Sequence, residues 1–452
     1  MTVIFALERS AMETLSTIIN SQSNKSILTQ SYLEACKIEL AKFCFSYRYA
    51  EQSGSELGQD YVSFLKSRLR KRVQLLARFH IKISAILERT NLGKGLHVTF
   101  LNGDSHNSAQ RPLLLETENG RFVIKLTDPR TTLIYNDVLS AIQRGCGLSV
   151  EALQVDYDSS YHYQISPYLE HSNSSAINAH EYYGYLLGIH LTTSYFLQMT
   201  DLHFENVLTS SGIPYIIDTE CMLYGFYGHS TSSPFRLMNT GLIAPTKRLS
   251  GINGGSENVS EIALNIKDKK VRYTHKNNIF HNRITDEHGQ IIPTDAYKKN
   301  IISGFRDSYL FLAANKLEII NSVPSDHLFG FRTRFLIRTT AHYKTVIDRI
   351  FSPNLNGRHS RYLESTLSTF SRSGFLPDEI NNATLVNEVN DLLDGDIPYF
   401  WVGSADHDIY HHTKVTMKYS QIPNLRTRLD RAIQSYLKED IDHLSTLLDD
   451  YL

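Results

Sequence analysis

Three polar residues with the spacing D-x-H-x-x-N could carry chemistry: Asp201, His203 and Asn206. Asp218 follows twelve residues after Asn206, at the end of an apolar run, and Glu220 lies two positions further on. Carboxylate and amide oxygens suit Mg²⁺, and a further carboxylate can orient or deprotonate an attacking hydroxyl group. The residue types therefore favour phosphoryl transfer, with Asp201 as the candidate base and Asn206 and Asp218 as candidate metal ligands. The alternative is a hairpin whose acidic ends are simply solvated.

The segment between Asn206 and Asp218 predicts a β-hairpin that would position these groups. Two short apolar runs flank residues 209–214, which contain the Ser, Gly and Pro of a turn. A hairpin places its two ends side by side, so the acidic groups could face one small volume. Upstream, apolar residues recur at helical spacing over residues 181–199, and this helix would deliver the chain to Asp201.

A lysine at the end of another apolar strand offers a second group for phosphates. Strand-like segments cover residues 98–101, 112–116 and 121–125, and the last of them ends in Lys125. The polar loop between the first two could cover phosphates, and the ammonium group of Lys125 could neutralise them as a point charge. The alternative is a surface hairpin with an exposed lysine.

Residues 331–343 contain three arginines within seven positions. If this segment is helical, Arg334 and Arg338 lie one turn apart on one face and could bind a phosphate. On local sequence alone, the favoured interpretation is an exposed helical face with salt bridges.

Composition excludes several classes of protein. The 46 basic and 47 acidic residues nearly cancel, so no global field favours nucleic acid or a membrane surface. The four cysteines form no C-x-x-C pair, so we expect neither a zinc site nor a disulfide framework, and a reduced cytoplasmic compartment is the simplest fit. No secretory signal is recognisable, and no apolar stretch approaches the roughly 18 residues that a membrane helix needs.

The chain as a whole has the pattern of an α+β protein. Residues 1–95 are predicted to be helical, and the basic run from Lys66 to Arg78 is interpreted as a solvated helix face rather than a binding patch. Strand composition begins near Leu96. A closing helix is predicted from about Arg426 to Leu452.

Residues 200–207 read T-D-L-H-F-E-N-V and are followed by Gly212, Pro214 and the tetrapeptide I-D-T-E at 217–220. This stretch resembles the dehydratase domain of class II lanthipeptide synthetases, the LanM type. Four further matches fall in the same order along the chain. They are G-D-S-H with V-I-K (103–106 and 123–125), I-S-G-F (302–305), R-x-x-x-R-x-T-x-x-Y (334–343) and G-D-I-P-Y-F (395–400). Five ordered matches are far more specific than any one motif.

The resemblance implies a lipid-kinase-like, two-lobed catalytic core with added helical elements at both ends. Residues 1–95 would then be a helical N-terminal region, 96–170 a β-rich nucleotide-binding lobe, and 171–452 the catalytic lobe with a phosphate-elimination element. The implied reaction has two steps. ATP first phosphorylates Ser or Thr of a ribosomally made precursor peptide. Phosphate is then eliminated, leaving dehydroalanine or dehydrobutyrine.

The resemblance also implies three sets of site residues, with ATP and Mg²⁺ as cofactors. The residues at the nucleotide are Asp104, His106 and Lys125. The residues at the metal ion are Asn206, Asp218 and Glu220. The catalytic residues are Asp201, His203, Arg334 and Thr340. A guanidinium such as that of Arg334 can bind departing phosphate through two hydrogen bonds, whereas no residue is assigned to removal of the α-proton.

The sequence departs from the family pattern at the nucleotide. Ser108-Ala109-Gln110 stands where a Gly-rich turn is usual, and Lys125 is followed by L-T-D-P-R instead of P-R. No Cys-His zinc pattern of a cyclase follows Cys221, so we expect a stand-alone dehydratase whose thioethers, if formed, need a separate cyclase protein. The expected partner is a precursor peptide with its leader; nucleic-acid binding and membrane insertion are not expected.

Two alternatives remain beside the dehydratase hypothesis. A peptide Ser/Thr kinase would phosphorylate without elimination, which the altered nucleotide loop allows. A non-catalytic peptide-binding protein could use the same fold. The non-catalytic hypothesis is disfavoured by the presence of Lys125, Asp201, Asn206 and Asp218. The kinase hypothesis is disfavoured by the presence of Arg334 and Thr340.

Overall fold

The computed structural model describes most of the chain. The described residues are 3–22, 27–44, 59–101, 105–150, 152–158, 160, 162–172, 178–223, 233–245, 249–255, 259–265, 270–276, 280–351, 359–371, 378–404, 408–418, 425–436 and 439–452. Helices and strands alternate in blocks, as expected for the α+β class. Within these ranges, no helix combines the length and the apolar character needed to cross a bilayer.

The N-terminal region is helical, as predicted. Its three helices are α1 (Val3–Gln22), α2 (Ile27–Phe43) and α3 (Gln59–Leu87). The basic run lies on α3, and Lys66, Arg70 and Arg78 are exposed, as a solvated face requires. Arg68 and Arg72 are exceptions: Arg68 is partly buried and pairs with Asp394, and Arg72 is 3% exposed and turned into the protein.

A five-stranded antiparallel sheet follows. Its strands are β1 (Gly95–Phe100), β2 (Leu113–Thr117), β3 (Gly120–Lys125), β4 (Asp156–Tyr157) and β5 (Gln164–Pro167), in the order β1-β2-β3-β5-β4. The predicted turn joins β2 to β3, with Thr117 opposite Gly120. Helix α4 (Arg130–Gly145) connects β3 to the sheet edge. Lys125 therefore ends a central strand, next to Gln164 of β5.

Two long helices cross at the centre of the C-terminal part. They are α5 (Ala179–Phe196) and α7 (Lys298–Ser322), and a short helix, α6 (Ser233–Asn239), lies between them in sequence. A Cβ at Gly188 would meet Ile301 O at 2.2 Å, and one at Gly304 would meet Tyr185 O at 2.1 Å. The helices can approach this closely only because both positions lack a side chain. The I-S-G-F motif thus has a packing role that fixes the helix preceding Asp201.

The predicted hairpin is present. Its strands are β6 (Val207–Ser210) and β7 (Ile213–Ile216), with Ser210 opposite Ile213. The two turn residues, Ser211 and Gly212, have φ values of 52° and 73°, which suit the tight turns that match the twist of a hairpin. A second hairpin is formed by β8 (Val259–Asn265) and β9 (Lys270–Lys276).

The second sheet corrects the prediction for the arginine-rich segment. Its strands are β10 (Arg332–Phe335), β11 (Phe400–Gly403), β12 (Asp408–His411) and β13 (Lys414–Lys418), all antiparallel. Arg334 therefore lies on a strand opposite Trp401 and is 6% exposed, so the predicted exposed helical face is wrong. The helices around this sheet are α8 (Ser325–Leu328), α9 (Thr340–Ile350), α10 (His359–Ser371) and α11 (Asp378–Leu393).

The C-terminal segment forms two helices instead of the single one predicted. They are α12 (Leu425–Tyr436) and α13 (Ile441–Tyr451). Asp440 caps the second, because its side chain accepts a hydrogen bond from Asp442 N at 2.9 Å. The alternation of charged residues and leucines predicted one continuous helix, but the N-cap at Asp440 starts a new one.

Two hydrophobic cores hold these elements. One surrounds α5 and α7 and includes Leu187, Phe305 and Phe335. The other joins the N-terminal helices and the first sheet to α9–α11, and it includes Leu76, Ile124 and Ile350. Residues far apart in sequence therefore share each core. The candidate site residues lie on segments anchored in both.

Candidate functional site

Asp201 lies in a short loop whose backbone is fixed on both sides. Thr200 N donates to Cys221 O at 3.0 Å, and Leu202 N donates to Thr240 O at 3.0 Å. Asp201 itself has a φ of 68°, a left-handed conformation that Asp tolerates better than most residues. The loop therefore presents the Asp201 side chain from a defined backbone position.

The rest of the D-x-H-x-x-N motif is built into the same loop. A 3₁₀ turn spans Phe204–Asn206, and the His203 side chain caps it by accepting from Glu205 N at 3.3 Å. Asn206 Nδ2 donates to Asp201 O at 2.7 Å, so Oδ1 is the amide atom that could bind a cation. Asn206 O accepts from Ile217 N at 3.0 Å, which ties this loop to the end of the hairpin.

Lys125 reaches the same end of the hairpin from the first sheet. Its Nζ donates to Ile217 O at 2.6 Å and lies 3.8 Å from Asp218 Oδ2. Glu220 N donates to Asp218 Oδ1 at 3.2 Å, which orients the carboxylate. An ammonium group and two carboxylates thus meet where the hairpin ends.

Strand β10 brings a buried arginine to this cluster. Arg334 N donates to Glu220 O at 2.8 Å, and Arg334 Nη1 donates to Glu220 Oε1 at 2.5 Å. The neighbouring Thr333 hydroxyl accepts from Met222 N at 3.0 Å, so the strand is attached to the segment that follows the hairpin. Arg334 Nε and Nη2 are buried and have no hydrogen-bond partner among the residues that the structure describes. Because unpaired buried donors are costly, these two atoms suit an anionic ligand.

The charges in the cluster act on each other. Burial raises the pKa of Asp201; His203 and Arg334 oppose this rise, whereas Asp218 and Glu220 add to it. Burial lowers the pKa of Arg334, but Glu220 and Asp201 outweigh it and raise the pKa above its usual value. A carboxylate with a raised pKa is a better proton acceptor, and an arginine so placed stays charged.

Tyr399 joins His106 to the arginine. The His106 and Tyr399 rings stack with centroids 5.0 Å apart, and the Arg334 guanidinium lies 5.3 Å from the centre of the Tyr399 ring. Tyr399 Oη lies 3.5 Å from Glu220 Oε2. Tyr399 belongs to a motif that was recognised in the sequence, but no role was predicted for it. Its position in the G-D-I-P-Y-F match was the available signal.

Asp396 holds the His106 loop in place, a role that the sequence did not reveal. Its carboxylate accepts from Ser105 Oγ at 2.5 Å, Ala109 N at 2.7 Å and Arg72 Nη1 at 2.6 Å. Ile397 N donates to Ser105 O at 2.7 Å. Asp396 is 2% exposed, so this is a buried ion pair with further hydrogen bonds.

Arg130 anchors the chain just before β10. Its guanidinium donates to the Asp128 carboxylate, to Phe329 O at 2.6 Å and to Gly330 O at 2.7 Å. Asp128 also accepts from Arg332 N at 3.1 Å. The residues that interrupt the family's lysine motif thus position the strand that carries Arg334.

The predicted site residues are only partly brought together. Lys125, Asp201 and Arg334 share the cluster with three others: Asn206, Asp218 and Glu220. His203 lies in its loop, and His106 reaches it through Tyr399. Asp104 lies outside the residues that the structure describes.

Within the described residues, no hydrogen bond or ion pair links Thr340 or Arg338 to the cluster. Thr340 starts α9 beside its N-cap, Thr339, and no hydrogen bond among the described residues joins it to Arg334. Arg338 does not accompany Arg334, because its Nε and Nη2 donate to the fully buried Glu388 at 2.9 and 3.3 Å. The predicted pairing of the two arginines on one helix face is therefore wrong.

Comparison with known proteins assigns the chain to a family. A family model described as "Domain of unknown function (DUF4135)" matches residues 56–402, and the chain belongs to this family. The "Lacticin 481/lactococcin biosynthesis protein LcnDR2" of Lactococcus lactis subsp. lactis is 24% identical over 380 residues. The match covers 75% of this chain and 40% of that protein, so the chain spans less than half of its relative's length. The resemblance to LanM-type lanthipeptide synthetases is thereby confirmed.

Proposed function

We propose that this chain takes part in lanthipeptide biosynthesis by dehydrating Ser and Thr residues of a precursor peptide, through phosphorylation by ATP and elimination of phosphate. The observation that carries the proposal is the position of Arg334. Its guanidinium lies against the acidic cluster with two buried nitrogens unpaired, and a phosphate on the substrate would satisfy both. A relative named for lacticin 481 biosynthesis supports the peptide class.

The donor set fits Mg²⁺ and the phosphates of ATP. Asn206 Oδ1 and the Asp218 carboxylate would hold Mg²⁺, with Glu220 beside them, since hard oxygen ligands suit this ion. Bound Mg²⁺ would supply charge neutralisation at the transferred phosphoryl group. Lys125 would contact the phosphates by exchanging its bond to Ile217 O. In the altered loop, Asn107, Ser108 and Ala109 have positive φ values, a backbone form that glycine adopts most easily, so the loop turns here without the family's glycines.

Asp201 and Arg334 divide the two steps between them. In the first, Asp201 orients the substrate hydroxyl and accepts its proton as the oxygen attacks the γ-phosphorus, the bond to the β,γ-bridging oxygen breaks, and ADP departs. In the second, the α-proton passes to solvent, its C–H electron pair forms the Cα=Cβ double bond, the Cβ–O bond breaks, and phosphate departs with the Cβ–O electron pair toward Arg334. Glu220 holds Arg334 in place through Nη1, and Thr340, at the N-terminus of α9, orients the phosphate.

Mass spectrometry of a precursor peptide tests this function. We would co-express the chain with a Ser/Thr/Cys-rich peptide that carries its leader and expect loss of one water per modified residue. Asp201→Asn should abolish the change, whereas Asp295→Asn, an exposed carboxylate outside the cluster, should leave it intact. Addition of phosphate without loss of water would instead identify a peptide kinase. An unmodified peptide that binds the folded chain would indicate a peptide-binding protein.

A further inference from the structure

A second cluster of ionisable side chains lies outside the candidate active site, beside the second sheet. Asp391 is near the end of α11, His411 ends β12, and His412 opens the turn to β13. His411 Nε2 lies 2.7 Å from Asp391 Oδ2, and His412 Nε2 lies 3.6 Å from Asp391 Oδ1. One ligand atom from each residue lies within 4.8 Å of the other two.

The backbone explains how two consecutive histidines reach one carboxylate. Successive side chains on a strand normally point to opposite faces. His412 has a φ of 54°, a left-handed conformation that departs from the strand, and its ring centroid lies 4.0 Å from that of His411. The turn therefore aims both imidazoles at Asp391.

Asn107 determines which nitrogen of His412 faces the cluster. His412 Nδ1 lies 2.7 Å from Asn107 Oδ1, and an amide oxygen only accepts, so Nδ1 carries the proton. The lone pair is then on Nε2, which faces Asp391. Histidines that bind metals are commonly oriented in this way, by a hydrogen bond from the ring nitrogen that does not bind the metal.

The two contacts of Asp391 differ: the one with His411, at 2.7 Å, is a hydrogen bond that a bound ion would replace, whereas the one with His412 has the spacing of two ligands on one ion. The 3.6 Å between His412 Nε2 and Asp391 Oδ1 is too long for a hydrogen bond. Two ligands of a tetrahedral Zn²⁺, each at roughly 2.0–2.1 Å, lie about 3.4 Å apart. We propose that Asp391, His411 and His412 bind one Zn²⁺ ion, with a fourth position for water. Two imidazoles favour a transition metal over Mg²⁺.

The ion would connect three segments that support the active site: the His106 loop, α11 and the β12–β13 turn. Asp391 O accepts from Asp396 N at 2.9 Å, and Asp396 holds the loop that carries His106. Asn107, which orients His412, belongs to that same loop. The proposed role is structural: bound zinc keeps the His106 loop, α11 and the β12–β13 turn at fixed positions. It is independent of the dehydratase proposal.

Zinc titration of the full chain tests the site. The chain is stripped with a chelator and titrated with Zn²⁺ alone, and bound metal is counted after gel filtration; we expect one ion per chain. His411→Gln and His412→Gln keep polar side chains but should bind zinc at least tenfold more weakly. Asn107→Ala should weaken binding by about 10–100-fold, as the loss of an orienting hydrogen bond does elsewhere. His443→Ala removes an exposed histidine of α13 and should bind as the unmodified chain does.

The melting temperature separates a zinc site from a hydrogen-bonded cluster. Zinc should raise the melting temperature of the unmodified chain and of His443→Ala, because a ligand that binds only the folded state stabilises it. It should not raise that of His412→Gln, which is expected to fold because the side chain of His412 is only partly buried. No zinc retained by the unmodified chain, or equal affinity in the glutamine variants, would overturn the proposal.

Discussion

At the scale of single residues, the site is marked by a buried side chain, Arg334, that has hydrogen-bond donors without an acceptor among the described residues. Arg334 donates to Glu220 through Nη1, and its buried Nε and Nη2 have no partner in the described part of the chain. Arg338, four positions on, has its charge satisfied by Glu388. The two arginines look alike in the sequence. Only the long-range pairing of β10 with β11 shows which of the two arginines is available to a ligand. The spacing of nearby residues does not predict that pairing.

Replacement of Arg334 should separate the two proposed steps. Arg334→Ala removes the group that receives the departing phosphate, so elimination should slow by about 10²–10³-fold, as when one oxyanion donor is lost. Mass spectrometry should then detect a peptide that carries phosphate. Arg332→Ala changes an exposed arginine of the same strand and should leave dehydration unchanged. Complete dehydration by Arg334→Ala would remove this residue from the elimination step.

The ionised Asp201 side chain should lower the stability of the folded state at pH 7. Burial raises its pKa, so the folded state holds the Asp201 proton more tightly than the unfolded state does. Stability from this group is therefore present below its unfolded pKa of about 3.9 and is lost as pH rises through the folded pKa. Asp201→Asn should melt at a higher temperature than the unmodified chain at pH 7, and the difference should shrink toward pH 4.

The matched control for this effect is Asp295→Asn, an exposed carboxylate whose melting temperature should follow the unmodified chain at every pH. Differential scanning calorimetry across pH 4–8 measures both. A lower melting temperature for Asp201→Asn at pH 7 would mean that Asp201 is stabilised by its cationic neighbours more than burial penalises it.

At the scale of elements, the sequence predicted those helices, strands and turns whose conformation depends on neighbouring residues in the chain. The β6–β7 hairpin, the β2–β3 turn and helix α5 follow from apolar periodicity and turn residues. These local patterns do not predict that residues 332–335 form a strand, nor that the C-terminal helix breaks before α13. In the first case a partner strand almost seventy residues away decides the conformation, and in the second a single cap does.

The crossing of α5 and α7 depends on the absence of a side chain at Gly304. A Cβ there would meet Tyr185 O at 2.1 Å, a backbone atom that cannot move away alone. Gly304→Val should therefore lower the free energy of unfolding by about 1–3 kcal/mol through overpacking. Ser303→Ala, at an exposed neighbouring position, should change it by no more than about 0.5 kcal/mol. Urea denaturation measures both, and equal stability would contradict the close crossing.

The buried pair of Arg72 and Asp396 should be the main anchor of the His106 loop. Asp396→Ala leaves the buried Arg72 charge with only the more distant Glu39 carboxylate, at 3.9 Å, and removes the acceptor of Ser105 Oγ and Ala109 N. Unfolding free energy should fall by about 3–5 kcal/mol, the usual cost of breaking a buried pair. Arg9→Ala breaks an exposed pair with Glu13 and should cost less than about 1 kcal/mol. Comparable losses in the two variants would contradict this role.

At the scale of the whole molecule, the candidate site is assembled from parts distant in sequence. Lys125 arrives from the first sheet, Asp201 from the loop after α5, and Arg334 from the second sheet. The order of five motifs predicted that these parts belong together, and the two shared cores explain how they meet. Arg72 and Asp396, which are 324 residues apart, have no local pattern that could predict their contact.

Since different residues of the cluster carry the two proposed steps, two variants that are each blocked in one step should complement each other. Arg334→Ala should release phosphopeptide, and Asp201→Asn, which keeps Arg334, should eliminate phosphate from it. A mixture of the purified variants with ATP, Mg²⁺ and precursor peptide should therefore restore dehydration that neither produces alone. The double variant Asp201→Asn/Arg334→Ala, mixed with either single one, should restore nothing. If the mixture of single variants stays inactive while phosphopeptide accumulates, Asp201 is needed for elimination as well, and the two steps share one set of residues.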